Sequence, residues 1–203
     1  MSARSSRTRP RHRGPVLIPL LILATIAAVA VLARAGGGVA ADAQPSPPGS
    51  VTVQAGSGSR PLAVGELVPA FSAPSLDGGT LAWQEFAGAP TVLVIWASWC
   101  PHCQAELPLL DTVAADFPEV RVATVVTAVG ERPGPSPQQF IDRAGLALPV
   151  AVDDGAGTLA RAFGVQAFPT IYLVGADGRV RGAAQGEVSS GALRAAFRAL
   201  SAQ

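Results

Sequence analysis

Lysine is absent from this chain: all fifteen of its basic residues are arginines. A side-chain Schiff base and a P-loop lysine are therefore both excluded. Histidine is nearly as scarce: with only His12 and His102, a zinc cluster or a Ser-His-Asp triad is nearly excluded. An excess of charge is lacking as well. The formal net charge is +1, no basic face stands out, and no nucleic-acid partner is expected. Cysteine occurs only as Cys100 and Cys103, so any thiol chemistry is confined to one C-x-x-C pair.

What is present is unevenly spread. Arg4, Arg7, Arg9, Arg11 and Arg13 precede twenty uncharged residues, Gly14 to Ala33, of which eleven are Val, Leu or Ile. At about −0.3 to −0.6 kcal/mol each, these contribute roughly −3 to −7 kcal/mol toward bilayer insertion. Twenty helical residues span about 30 Å, the thickness of the hydrocarbon core. A cleavable signal has a shorter apolar region of about 7–15 residues. Small-x-small sites at Ala33-Arg34-Ala35 and Ala41-Asp42-Ala43 keep cleavage and secretion as the alternative. The expected layout is a basic cytoplasmic tail (1–13), a single-pass transmembrane signal-anchor (14–34), a flexible Gly/Ala/Pro/Ser linker (35–60) and one globular domain (61–203). Five arginines before the span against Arg34 after it put the N-terminus in the cytoplasm and the domain outside, where disulfides persist.

Within the domain, Thr91–Ala97 is a continuous β-branched and aromatic run, the pattern of a strand buried on both faces. Pro101 suits the first turn of a helix ending near Asp116, with Cys103, Glu106, Leu107 and Leu110 on one face and a kink expected at Pro108. Pro61 to Phe71 reads as an extended lead-in, followed by a turn at 76–80, a short strand at 80–82 and a helical turn at 83–86. Further strands are expected at 121–126, 148–152, 170–174 and 179–183, with helices from Pro137 to Ala144, from Thr158 to Phe163 and from Ser189 or Ser190 to about Ala202. This order of elements predicts an α/β fold, a mixed sheet with helices on its faces.

The chemistry concentrates at Trp96-Ala97-Ser98-Trp99-Cys100-Pro101-His102-Cys103. Two thiols at the mouth of a helix, on the end of a buried strand, point to disulfide exchange. A purely structural bridge fits poorly, since closing a four-residue loop is worth only about 2 kcal/mol in the chain-entropy model. Trp96 reads as core packing and Trp99 as a rim beside the cysteines. His102 is either an ordinary exposed side chain or a cation that stabilises the Cys100 thiolate, which would make the protein more oxidising.

Together with Glu106-Leu107-Pro108, Phe168-Pro169-Thr170 and Asp177-Gly178, that stretch resembles the thioredoxin superfamily, in particular its membrane-anchored TlpA/ResA-like thiol-disulfide oxidoreductases. The resemblance covers about residues 62–200 and implies a thioredoxin fold for the domain. It implies Cys100 as nucleophile and Cys103 as resolving thiol, joined in a redox-active disulfide. It makes Pro169, between Phe168 and Thr170, the cis-proline that docks substrate. Glu106 matches an acidic residue implicated near the active site in this branch, and His102, Trp99 and Pro101 become supporting residues. Val94 stands where thioredoxin keeps a buried acid, which leaves Glu106 as the local carboxylate to relay the Cys103 proton.

The expected function is thus thiol-disulfide exchange with protein thiols or disulfides, as a reductase, with cytochrome c maturation as one destination. Pro-His between the cysteines is also the dipeptide of DsbA-like oxidants, which is the alternative direction. From another class, a copper-delivery protein would want a distant His, and a non-catalytic redox-sensing module would need no C-x-x-C. No cofactor and no metal are expected. The chain is expected to be a monomer in the cell membrane of a bacterium, held by its N-terminal helix and served by a membrane redox partner.

Overall fold

Strand Thr91–Trp96 fixes the architecture, because every one of its residues is buried and must be covered from both sides. The computed structural model describes residues 49–54, 58 and 60–203. These all belong to one compact unit, Ser46–Gln203. The basic tail (1–13), the expected anchor (14–34) and most of the expected linker (35–60) lie outside the described residues. Among the described residues, no helix is long and apolar enough to cross a membrane.

In chain order the elements are β1 (Thr52–Val53), β2 (Phe71–Pro74), β3 (Thr80–Ala82), a 3-10 turn (Trp83–Phe86), β4 (Thr91–Trp96), α1 (Pro101–Ala114), β5 (Arg121–Val126), α2 (Pro137–Ala144), β6 (Val150–Val152), α3 (Thr158–Ala162), β7 (Thr170–Val174), β8 (Val180–Gln185) and α4 (Ser190–Ser201). The central sheet runs β6-β5-β4-β7-β8. β5 is parallel to both β4 and β6, while β7 is antiparallel to β4 and β8. It is a mixed α/β sheet with the thioredoxin-like arrangement.

Alternation along β4 divides the core in two. Val92, Val94 and Trp96 pack with Leu107 and Leu110 of α1 and with Leu193, Phe197 and Leu200 of α4. Leu93 and Ile95 point the other way, to Phe71, Leu159, Phe163 and Tyr172. This is the period-2 geometry of a strand carrying an apolar load on both faces. The helices start and stop on local signals. Ser136 Oγ accepts from the Gln139 N–H to cap α2, whose C-terminus ends on Gly145 in the left-handed region at φ 64°. Ser189 caps α4 in the same way. α1 continues through Pro108 as one fourteen-residue helix.

Two strands depart from the sequence reading. β2 begins at Phe71, the last residue of the extended lead-in (61–71), and fills the gap before the turn, pairing with β3. The expected linker (35–60) contains β1, which pairs with β2 through Thr52–Ser72 and Val53–Phe71. Val51 and Val53 are half-buried against the core, and the Gln54 N–H donates to the Ala70 carbonyl. The next stretch of chain is anchored too. Leu62 N–H donates to the Tyr172 hydroxyl at 3.1 Å, and that hydroxyl donates to the Phe163 carbonyl at 2.6 Å. Gly164, at φ 59°, must be glycine because a Cβ there would lie 1.7 Å from the Arg60 carbonyl oxygen.

Candidate active site

β4 delivers the chain to Trp96, and Cys100 becomes the N-cap of α1 with extended backbone (φ −82°, ψ 118°). The Cys100 N–H donates to the Ala97 carbonyl at 3.1 Å, closing the turn that joins strand to helix. Pro101 occupies the first helical position, where its missing N–H costs nothing, and it is exposed. The Cys100 side chain makes no cap hydrogen bond. The first-turn N–H groups and the positive end of the helix dipole lie at this side chain.

The two thiols, both free, occupy different surroundings. Cys100 is 5% exposed, and its Sγ lies 3.8 Å from the Phe168 carbonyl oxygen. Cys103, one turn along α1, is completely buried. Burial pushes its thiol well above the ordinary range. The Ala97 N–H opposes that shift, and the negative charges of Cys100 and Glu106 add to it. Cys100 keeps a sliver of exposure and Cys103 has none.

Glu106 lies one turn beyond Cys103 and is 3% exposed. Its Oε2 accepts from the Val188 N–H at 3.1 Å, whereas its Oε1 is buried without a hydrogen-bond partner. Its carboxyl titrates above the ordinary value, chiefly through desolvation. The Val188 N–H opposes the shift, Glu187 strengthens it, and His102 weakens it. Val94 is buried and apolar. His102 is 63% exposed, and its Nδ1 lies 3.0 Å from Glu187 Oε2.

The Phe168–Pro169 peptide bond is cis. Thr170, buried, donates its hydroxyl to the Ala167 carbonyl at 2.7 Å, and the Pro169 carbonyl accepts from the Gly186 N–H at 2.8 Å. These bonds fix the loop that presents the Phe168 carbonyl to Cys100. The half-buried Trp99 ring meets Phe168 edge-on, with centroids 5.6 Å apart, and its indole N–H donates to the Ala128 carbonyl at 2.8 Å. Arg132 stacks 4.7 Å above the same indole. Trp96 is buried against Phe140.

Cys100, Cys103, His102, Glu106, Trp99, Pro101, Phe168, Pro169 and Thr170 thus fall on two adjoining segments, the start of α1 and the loop before β7. Sequence reasoning missed Glu187, Val188 and Arg132. Glu187 and Val188 lie in the connection from β8 to α4, eighty or more residues from their partners, and no periodicity marks them. Among the described residues no group of three or more His, Cys, Asp or Glu could hold a metal.

A thiol at a helix N-terminus, a fully buried thiol one turn behind it and a cis-proline loop whose Phe168 carbonyl faces Cys100 have the arrangement of a thioredoxin-type disulfide exchanger. Residues 63–200 match the Redoxin family, and the chain belongs to it. Within the thioredoxin superfamily it is similar to the ResA thiol-disulfide oxidoreductases and to DsbE-type interchange proteins. It is 28% identical over 116 residues to the thiol-disulfide oxidoreductase ResA of Halalkalibacterium halodurans, covering 57% of this chain and 65% of that one, just under two thirds of its length. A DsbE-type thiol:disulfide interchange protein from Chlorobium tepidum aligns with TM-score 0.62 at 25% identity, over 69% of this chain and 99% of that one. MTB DsbF, solved in mixed oxidized and reduced forms, aligns with TM-score 0.57 at 33% identity, over 64% of this chain and 94% of that one.

Proposed function

We propose that the protein is a membrane-tethered extracytoplasmic reductase of protein disulfides that works through its Cys-Pro-His-Cys motif, with cytochrome c maturation as its destination. The observation that carries this reading is the asymmetry of the thiols: Cys100 is the N-cap of α1 and 5% exposed, while Cys103, one turn on, is completely buried. The Cys100 thiolate attacks one sulfur of a partner's disulfide. That S–S bond breaks, the partner's other sulfur leaves and takes a proton, and a mixed disulfide forms. Glu106 accepts the proton of Cys103. The Cys103 thiolate then attacks Cys100, releases the second partner thiol and leaves a Cys100–Cys103 disulfide. Two electrons have passed to the partner, and a membrane dithiol partner restores them.

The alternative direction, a DsbA-like oxidant, rests on the Pro101-His102 pair between the cysteines. The tether and the extracytoplasmic side rest on the five arginines and the apolar run that follows them.

Trapping tests the whole reading. Cys103→Ser in the full chain should accumulate Cys100 mixed disulfides with membrane-associated or exported proteins, and Cys100→Ser should form none. Cys100→Ser should also lose disulfide reduction by about three orders of magnitude. Recovery of partners already reduced, with the enzyme oxidised at steady state, would reverse the direction. Glu106→Gln should slow resolution about 10²-fold and flatten its pH profile. An unchanged profile would remove Glu106 from the proton path.

A further inference from the structure

The imidazole of His102 and the carboxylate of Glu187 meet at 3.0 Å on the surface, more than half exposed on each side. Neither residue is needed to hold the fold. Each, however, is tied by the chain to Glu106. His102 is on the same helix, four residues before it, which on α1 is one turn and the same side. Glu187 immediately precedes Val188, whose N–H donates to Glu106 Oε2 at 3.1 Å. The pair therefore joins the two elements that surround the buried carboxylate, the first turns of α1 and the connection between β8 and α4.

We propose that His102 and Glu187 are positioning residues that control Glu106, presenting opposite charges to one buried carboxylate from its own helix and from the segment that hydrogen-bonds it. The directions at Glu106 agree: the Glu187 charge favours its protonated form and the His102 charge its ionised form. An exposed pair of this kind contributes little to stability. Its effect falls instead on a carboxylate with an unpartnered oxygen, where low dielectric lets a small field matter. Other charged groups are few. On α1, Cys103 and Cys100 lie toward the N-terminus, and Asp111 lies five residues further along. On α4 the nearest basic residue is Arg194, bound to Asp116 at the far end of α1. Among the described residues, no arginine acts on Glu106 beside His102.

This inference rests on Glu106 as the proton relay, and its test separates the two. In the full chain with both thiols reduced, the Glu106 carboxyl carbon is followed by 13C NMR titration, a readout that needs no exchange activity. A unit charge about 10 Å away moves a midpoint by about 0.3 pH unit at a water-like dielectric, the lower bound here, and by more at a lower one. Glu187→Gln should lower the Glu106 midpoint by at least that amount, and His102→Gln should raise it by about as much. His102→Arg, permanently charged, should not raise it. Both shifts should shrink in 1 M salt, where the Debye length is about 3 Å. If the pair only braces the loop, Glu187→Gln and His102→Gln break the same contact and move the midpoint the same way. That result, or no movement in either, overturns the proposal. Opposite shifts combined with an unchanged Glu106→Gln rate profile would keep the control and dismiss the relay.

Discussion

Two carboxylates are buried in this domain, and they are treated in opposite ways. Asp153, 6% exposed, follows β6 and accepts four hydrogen bonds: the Thr127 hydroxyl at 2.8 Å and the N–H groups of Asp154, Leu159 and Ala160 at 2.8–3.0 Å. Glu106, 3% exposed, accepts one and keeps Oε1 without a partner. Asp153 has a structural task. The N-cap of α3 is Gly157, which has no side chain to offer, so Asp153 satisfies that helix's free N–H groups from four residues upstream. Tyr172 and Gly164 hold the same corner against Leu62 and Arg60. The α1 corner carries the incomplete bonding: the buried side-chain N and O atoms without partners among the described residues are Trp96 Nε1 and Glu106 Oε1. A fully bonded carboxylate is fixed in place, while an underbonded one is free to take and release a proton.

The largest test of that contrast is Asp153→Ala. It strands three backbone N–H groups and a hydroxyl in the interior and should cost about 4 kcal/mol. For a domain of this size that lowers Tm by about 8–16 °C, readable by calorimetry. The folded fraction should exchange disulfides at the normal rate, and a proportional loss of rate would mean that the two corners are coupled. Gly164→Ala comes next. It forces a Cβ into the Arg60 backbone at positive φ and should cost about 3 kcal/mol, with proteolysis beginning near residues 58–62. Tyr172→Phe removes the hydroxyl shared by Leu62 and Phe163 and should cost about 2 kcal/mol in urea unfolding, again with no change in exchange.

The two corners were not equally legible in the sequence. β4, α1 and the C-x-x-C pair stand out because a run of apolar residues, a proline at the first helical position and two scarce thiols are all local signals. β5, α2 and β7 have the spans read from their patterns, for the same reason. β1 and β2 are two and four residues long, too short to show a period, and they exist because neighbouring strands pair with them. The partners of the site residues were hidden for a related reason. Glu187 reaches His102 across 85 residues of sequence, and Asp153 caps a helix whose own N-cap is glycine. Such contacts are produced by the closed fold, and a local pattern cannot carry them.

The smallest expected effect has the opposite sign. Because Glu106 titrates above its ordinary value, the folded state holds that proton more tightly than the unfolded chain. The carboxyl therefore leaves the fold at its most stable below the ordinary carboxylate range. Stability falls as pH rises through the window between the ordinary value and the raised one, and above that window the penalty is constant. An amide in place of the carboxyl carries no such charge, so Glu106→Gln should match the parent at low pH and exceed it at pH 7, by less than the Tyr172→Phe change. Thermal melts of the reduced protein across that pH range measure the difference. A variant less stable than the parent at pH 7 would mean that the ionised carboxylate supports the fold, as Asp153 does, and the distinction between the two corners would collapse.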